Sequence, residues 1–429
     1  MRVVVYGLWH LGSVTAACLA AAGHDVIGLD PDAHVIASLA KGCPPIDEPG
    51  LASLVGDGLA SGRLRFTTDA NEALPAADVL WVTFDTPVND RDEADVAFVR
   101  ARLEEIAGAL GPGTLVLASS QVPVGFTRAL AHDWRHRRLR FAYSPENLRL
   151  GKAIEAFRTQ ERVIVGVESD GDRDVLAPLF QPFATSIEWM SIESAEMTKH
   201  ALNAFLATSV TFINEIARLC EVTGADAKQV ERGLKSEGRI GKRAYLAPGN
   251  AFAGGTLARD VRYLVGFGHE HHRPTPLFDG VLASNERQLH WLREKVLELV
   301  GGADQAVVAL LGLTYTPGTS TLRRSAAVDL ASWLRGRGVT VRAFDPAIHA
   351  LPPELRSTIE LSGDALGALA GADVAVIATK WPEFKALTPD TVVKTMRHAR
   401  LIDQSWFLAQ TLSSDPRIQY IATGKSSVR

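Results

Sequence analysis

Three cysteines in 429 residues, Cys18, Cys43 and Cys220, are too few and too scattered for a disulfide framework or a zinc cluster. No apolar stretch reaches the roughly 18 residues that a membrane span requires, and the first strand starts without a basic and apolar leader. The sequence therefore reads as that of a cytoplasmic protein with no membrane partner. An excess of positive charge is missing as well. The balance of 45 Lys and Arg against 49 Asp and Glu gives a formal charge of -4, which argues against a nucleic acid held by phosphate neutralisation. What remains is an ordinary globular composition, 46% hydrophobic and 22% charged, with a length that suits two or three domains better than one core.

The apolar residues fall in short runs separated by helical patterns. Val3 to Tyr6 reads as a strand, Gly7 to Gly12 as a tight turn, Ser13 to Ala22 as an Ala-rich helix closed by Gly23, and Val26 to Leu29 as a strand that delivers Asp30. Runs at Val79 to Thr83, Leu115 to Ala118 and Val163 to Val165 extend this βαβ unit into a parallel sheet. Ser194 to Cys220 has the pattern of one long helix, with Ser194 as N-cap and Gly224 as stop, and helical patterns continue to residue 300 around the stretch Pro248 to Gly255. Strand-helix alternation returns at Ala306 to Gly312, Val339 to Phe344, Val374 to Ala378 and Leu401 to Ile402. The predicted fold is α/β: two doubly wound Rossmann-like domains, 1–185 and 301–429, joined by a central long helix and a helical middle domain, 186–300. The polar tail Gly424 to Arg429 is expected to fray.

The first turn carries an imperfect dinucleotide fingerprint. Gly7 and Gly12 are in place, but Trp9 stands where a second glycine normally lets the backbone approach a pyrophosphate, so its side chain must point away or crowd the cofactor. Asp30 lies 23 residues after Gly7, where a carboxylate can bond the adenosine ribose 2'-hydroxyl and repel a 2'-phosphate, which favours NAD over NADP. A βαβ unit with an empty crevice would show the same local pattern.

Further segments follow in order: Lys41 to Leu51, containing Pro45-Ile46-Asp47-Glu48-Pro49-Gly50-Leu51; Thr86-Pro87; Ser120-Gln121-Val122-Pro123-Val124-Gly125; and Ser144-Pro145-Glu146-Asn147-Leu148-Arg149-Leu150-Gly151. Then come Ala195-Glu196-Met197-Thr198-Lys199-His200-Ala201-Leu202-Asn203, Ala251-Phe252-Ala253-Gly254-Gly255-Thr256-Leu257-Ala258-Arg259-Asp260, and Leu311 to Ser325. Together they resemble the nucleotide-sugar dehydrogenases, the UDP-glucose and UDP-N-acetylmannosamine 6-dehydrogenase family, over nearly the whole chain. In that family the loop equivalent to Ala251–Asp260 reads Gly-Phe-Gly-Gly-Ser-Cys-x-x-Lys-Asp, so Thr256 takes the place of the nucleophilic cysteine. Gln121 stands for a usual threonine, Leu150 for a glutamate, Thr316 for a lysine, Ser320 and Thr321 for two acids and Ser405 for an arginine.

The resemblance implies NAD as cofactor, held by Gly7, Trp9, His10, Leu11, Gly12, Asp30, Thr86, Ser120, Gln121 and Arg323. It implies a nucleotide sugar or related phosphorylated small molecule as substrate, contacted by Leu148, Arg239, Tyr245, Leu246, Phe252, Gly254, Tyr315, Thr316 and Ser405. Lys199, Asn203, Asp260, Glu146 and Thr256 make up the catalytic set. Lys199 and Asn203 lie four residues apart and share a helix face, so both can reach one substrate oxygen. A lone lysine is more often a solvated one, but Met197, Ala201, Leu202, Phe205 and Leu206 around it predict a buried segment. The central helix implies a homodimer, compatible with the apolar stretch Ala201 to Ile216. Thr379 to Phe384 also matches a family segment and reads as packing.

A thiolate adds to a bound aldehyde and allows a second hydride transfer, whereas a threonine hydroxyl is a poor nucleophile without a dedicated base. Thr256 is either a neutral replacement in a loop that also carries Ala251 and Ala253 for glycines, or a hydroxyl that hydrogen-bonds the substrate alcohol or an aldehyde hydrate. The expected function is NAD-dependent oxidation of a nucleotide-sugar hydroxyl that stops at an aldehyde or ketone. The alternatives are a non-catalytic nucleotide-sugar-binding protein and an epimerase that uses NAD transiently. His269-Glu270-His271-His272 precedes Arg273-Pro274 in a loop with no third ligand cluster in view, so no metal is expected.

Overall fold

The computed structural model describes residues 1–87, 94–146, 148, 150–252, 254–301 and 306–425. Asn147, Arg149, Ala253 and the tail residues 426–429, which enter the expectations above, lie outside the described residues. The chain forms two compact units, Met1–Leu202 and Asn203–Arg429, so the division falls inside the long helix.

The first unit holds an eight-stranded sheet of β1 (Arg2–Tyr6), β2 (Asp25–Leu29), β3 (Leu64–Thr67), β4 (Val79–Val82), β5 (Leu115–Ala118), β6 (Arg140–Tyr143), β7 (Gln160–Val167) and β8 (Ala184–Met190). The spatial order is β3-β2-β1-β4-β5-β6-β7-β8, so the strand order reverses beside β1, where doubly wound sheets open their ligand crevice. Side chains alternate in period two: Val3 and Val5 enter one buried layer, Val4 and Tyr6 the other. Nearly continuous apolar strands are what a sheet covered on both faces requires. The sheet departs from the all-parallel expectation at one place, because β7 pairs antiparallel with β6 and a parallel β8 follows it. The strands β3, β6 and β8 escape the sequence reading because each is short or carries polar residues on half its length.

The second unit holds a six-stranded sheet of β9 (Val307–Leu311), β10 (Thr340–Phe344), β11 (Glu360–Leu361), β12 (Val374–Ile377), β13 (Arg400–Ile402) and β14 (Gln419–Ile421), in the order β11-β10-β9-β12-β13-β14. This repeats the strand order at the start of the first sheet, and it repeats the turn chemistry too. Gly7 after β1 and Gly312 after β9 have φ of 96° and 97°, a conformation that L side chains rarely adopt. Asp30 accepts the amide of Leu8 at 2.7 Å, and Asp345 accepts that of Leu313 at 2.7 Å. Each acid also accepts the amide two residues on, Asp32 and Ala347, and Asp345 is further occupied by Thr314 and the Trp381 indole. Trp381 and Phe384 are buried, consistent with the packing role read for Thr379 to Phe384.

The long helix runs Ile192–Thr223, two residues ahead of the predicted start. Ser191, not Ser194, supplies the cap, since its hydroxyl accepts the Ser194 amide. Helices Ala227–Ser236, Arg259–Glu270 and Pro276–Val300 complete the helical middle of the chain. Gly424 is not frayed: its amide donates to Glu221 at 3.0 Å.

Candidate active site

In the first unit the cofactor turn is built as the fingerprint requires, with one correction. The first helix begins at His10 instead of Ser13, so Trp9 becomes its N-cap residue without a side-chain cap bond. Trp9 is 50% exposed and its φ is -76°, so the backbone here needs no second glycine. A Cβ at Gly12 would fall 1.9 Å from the Gly7 carbonyl oxygen, so only glycine permits the helix to start this close to β1. A helix start leaves its first amides without intrahelical partners and its dipole favours negative charge, so this turn suits an anion. Asp30 is buried and uses one oxygen on Leu8 and the other on Asp32.

Thr86 donates to the Gln121 carbonyl at 2.6 Å, tying together two of the segments expected to bind cofactor. The Ser120 hydroxyl is fully buried with no hydrogen-bond partner among the described residues. An orphaned buried hydroxyl is costly in a finished core and fits a group waiting for a ligand. The glycine cradle, the first helical turn, Asp30 and Ser120 together fit a dinucleotide.

Two buried glutamates that the sequence reading missed hold these loops. Glu48 accepts the amides of Gly151 and Ala153, each at 2.8 Å, and pairs with His10 Nε2 at 3.0 Å, so it joins the start of the first helix to the end of the Ser144–Gly151 segment. Glu196 is fully buried and accepts the amides of Gly125 at 2.6 Å and Thr127 at 3.0 Å, anchoring the Ser120–Gly125 loop to the long helix. Burial pushes its carboxyl above the usual range, against the pull of those amides. Both residues lie in quoted motifs, and their signal was a charged residue among apolar ones.

Lys199 is 7% exposed and donates from Nζ to the Glu146 carbonyl oxygen. The Glu146 carboxylate accepts the Leu148 amide at 2.6 Å. The expectation of a largely buried segment holds on one face only: Lys199, His200, Asn203 and Ala204 are buried, while Ala201 and Phe205 are exposed. The lysine is thus buried on a helix that keeps an open apolar face.

In the second unit Asn203 Nδ2 donates to Asp260, which is fully buried. A hydrogen bond to a charged group is worth about 1.5–3 kcal/mol, so the pair fixes the helix Arg259–Glu270 against the long helix. Gly254–Ala258 forms a π-helical turn that leads into that helix, with Thr256 exposed on it. Phe252 and Leu246 are buried and Tyr245 is 59% exposed. Ser405 lies against Gly249, where an added Cβ would sit 3.4 Å from the Ser405 Cα. Thr316 is half-buried and its carbonyl accepts the Thr319 hydroxyl, while Tyr315 and Arg323 are exposed. Arg239 is exposed and pairs with Glu237 at 3.1 Å.

Cys220 is buried, its thiol pushed up by burial, and it lies 17 residues beyond Asn203 on the same helix, about 26 Å at 1.5 Å per residue. Among the described residues no group of three or more His, Cys, Asp or Glu could hold a metal ion, and no helix is long and apolar enough to cross a membrane.

Three family models match the chain: the NAD binding domain of the UDP-glucose/GDP-mannose dehydrogenase family over residues 1–184, its central domain over 193–287 and its UDP binding domain over 309–409. A UDP-glucose 6-dehydrogenase of Rhizobium meliloti is 36% identical over 414 residues, covering 94% of each chain. One from Bacillus subtilis is 33% identical over 436 residues, covering 100% of this chain and 94% of its own. The solved structure of a UDP-glucose dehydrogenase from Pyrobaculum islandicum superposes with a TM-score of 0.88 at 28% identity, covering 99% of this chain and 97% of that one.

Proposed function

This chain belongs to the UDP-glucose/GDP-mannose dehydrogenase family and is an NAD-dependent nucleotide-sugar dehydrogenase, and from that premise we propose that it performs one two-electron oxidation of a UDP-linked sugar and stops at the carbonyl. The observation that carries this reading is a buried Lys199 and a buried Asn203–Asp260 pair on a chain whose loop offers a threonine at 256. Burying these polar groups costs stability unless they have work to do.

NAD, which the Gly7–Gly12 turn, Asp30 and Ser120 would hold, would supply the acceptor for the hydride of the carbinol carbon. The Lys199 ammonium stabilises the negative charge that develops on the substrate oxygen as hydride leaves, and burial strengthens that interaction. Asn203 donates to Asp260 and holds its carboxylate in place to take the hydroxyl proton, directly or through water. Glu146, with its carboxylate bound to the Leu148 amide, positions the Ser144–Gly151 loop and remains available for acid-base work. The Thr256 hydroxyl lacks the acidity to add to the aldehyde as a thiol does, and it serves by hydrogen-bonding the substrate oxygen.

The sugar-nucleotide end supports an altered substrate fit. Thr316 and Ser405 are neutral where the family places a lysine and an arginine, so the anionic nucleotide sugar meets two fewer cations. The test is direct: purified protein, NAD and UDP-glucose should release NADH and a carbonyl product that hydroxylamine traps as an oxime. Absence of NADH with UDP-glucose and with its C2 and C4 variants contradicts the proposal.

The working form is a homodimer. Phe205, Phe212 and Leu219, spaced by seven residues on the long helix, are 68%, 47% and 60% exposed, with Val222 beside them at 72%. Such a seam matches the heptad repeat of a helix that packs on a second copy, and fully burying one phenylalanine is worth about 1.5–3 kcal/mol. Phe212→Glu is expected to shift the protein from dimer to monomer in analytical ultracentrifugation. An unchanged sedimentation coefficient would place the interface elsewhere.

A further inference from the structure

The segment Leu246–Phe252 belongs to neither helix nor strand, yet Gly249 and Phe252 are buried, so their peptide groups need partners other than water. Three side-chain amides supply them. Asn214, on the long helix, accepts the Gly249 amide at 2.9 Å and donates to the Asn250 carbonyl at 3.3 Å. Gln288, on the helix Pro276–Val300, donates to the Gly249 carbonyl at 2.8 Å. Asn285, one turn earlier, accepts the Phe252 amide at 2.9 Å and donates to the Phe252 carbonyl at 3.0 Å. All three amides are buried, at 2%, 1% and 9% exposure for Asn214, Gln288 and Asn285.

The pattern is chemically selective. Asn285 meets a donor and an acceptor of one residue and mimics a paired strand, which only a primary carboxamide of that length can do. An aspartate keeps the acceptor and turns the other contact into repulsion between oxygens. The opposed amide and carbonyl of Phe252 also fix which way the Asn285 amide faces.

These bonds lie at the mouth of the loop that carries Thr256. Its far end is fixed by Asn203 on Asp260, eleven residues before Asn214 on the same helix. Ser405 rests against Gly249 at the near end. The loop is thus held at both ends by amides.

We propose that Asn285, Asn214 and Gln288 are positioning residues that set the placement of the Gly249–Phe252 backbone for the nucleotide sugar, so that sugar recognition depends on them and NAD binding does not. This rests on the reading of the chain as a nucleotide-sugar dehydrogenase. A small displacement of such a segment is enough to weaken a bound geometry by orders of magnitude.

The experiment compares wild type with Asn285→Ala, Asn285→Asp and Gln288→Ala by hydrogen-deuterium exchange, steady-state kinetics and calorimetry with NAD and with UDP. The Phe252 amide is expected to exchange at least about tenfold faster in the Asn285 variants, and the Gly249–Phe252 peptide in all three, with peptides from residues 1–87 unchanged. KM for the sugar nucleotide and Kd for UDP should rise about 10- to 100-fold, with Asp worse than Ala, while Kd for NAD stays within about twofold. Unchanged exchange overturns the clamp, and faster exchange with unchanged KM and UDP affinity overturns the positioning role. If wild type turns over no nucleotide sugar, the dehydrogenase reading fails, and the exchange and UDP arms still decide the clamp. Gln288→Ala removes the bond to the Gly249 carbonyl and a longer one to the Thr423 hydroxyl, and serves if the Asn285 variants do not fold.

Discussion

Lys199→Ala lowers kcat by roughly two to three orders of magnitude, the usual cost of removing one preorganised donor from a developing oxyanion, while the dissociation constant for NAD stays within about twofold. The lysine is buried and its Nζ rests on the Glu146 carbonyl, so its charge is aimed by the fold before substrate arrives. Arginine cannot replace it: the guanidinium is a wide planar fork, and the space beside a helix residue with 7% exposure suits a compact ammonium. Stopped-flow detection of NADH under single turnover measures the chemical step itself. A fall of less than about fivefold would mean that the lysine serves packing and that another group carries the oxyanion.

Thr256→Cys is expected to raise the number of oxidations from the one proposed for the wild type to two. The substitution adds a thiol on an exposed turn directly before the helix that presents Asp260, where a thiol can add to the aldehyde as a thiohemiacetal whose carbon holds a second hydride. The expected readout is a rise from about one to about two NADH per sugar and the appearance of a uronic acid. Atoms balance: the second hydride leaves the thiohemiacetal carbon, giving a thioester, and water releases the acid and restores the thiol. Thr256→Ser should leave the ratio at one, because a hydroxyl remains a hydroxyl. If Thr256→Cys also stays at one, the loop has drifted too far for the thiol alone to restore the chemistry.

Local chemistry was legible in the sequence wherever neighbouring residues decide it. The left-handed Gly7, Asp30 after β2 and the Lys199–Asn203 spacing depend on a few residues each and are where the pattern put them, although the turn after Gly7 ends three residues sooner than read. The order of strands around β1 follows from the same alternation. What could not be read is whatever depends on a distant partner. The antiparallel β6–β7 pairing turns on a chain reversal that apolar runs do not encode. Glu48 and Glu196 look like surface charges until the amides of Gly151 and Gly125 are seen beneath them. Asn285 and Gln288 sit in an unremarkable polar stretch of helix, and their partners lie 33 and 39 residues away. The exposure of Ala201 and Phe205 escaped the sequence reading because apolar and polar residues share several faces of the long helix, and periodicity alone does not tell a core face from one reserved for a second chain.

The account turns on the loop in which a threonine stands for a cysteine, and the number of hydride transfers per substrate tests it most directly. Wild-type protein with limiting UDP-sugar and excess NAD should form one NADH per sugar consumed, with an aldehyde or ketone as product. Two NADH per sugar, with a uronic acid as product and an ester trapped at Thr256, would show that the hydroxyl does the work of the thiol and would contradict the account.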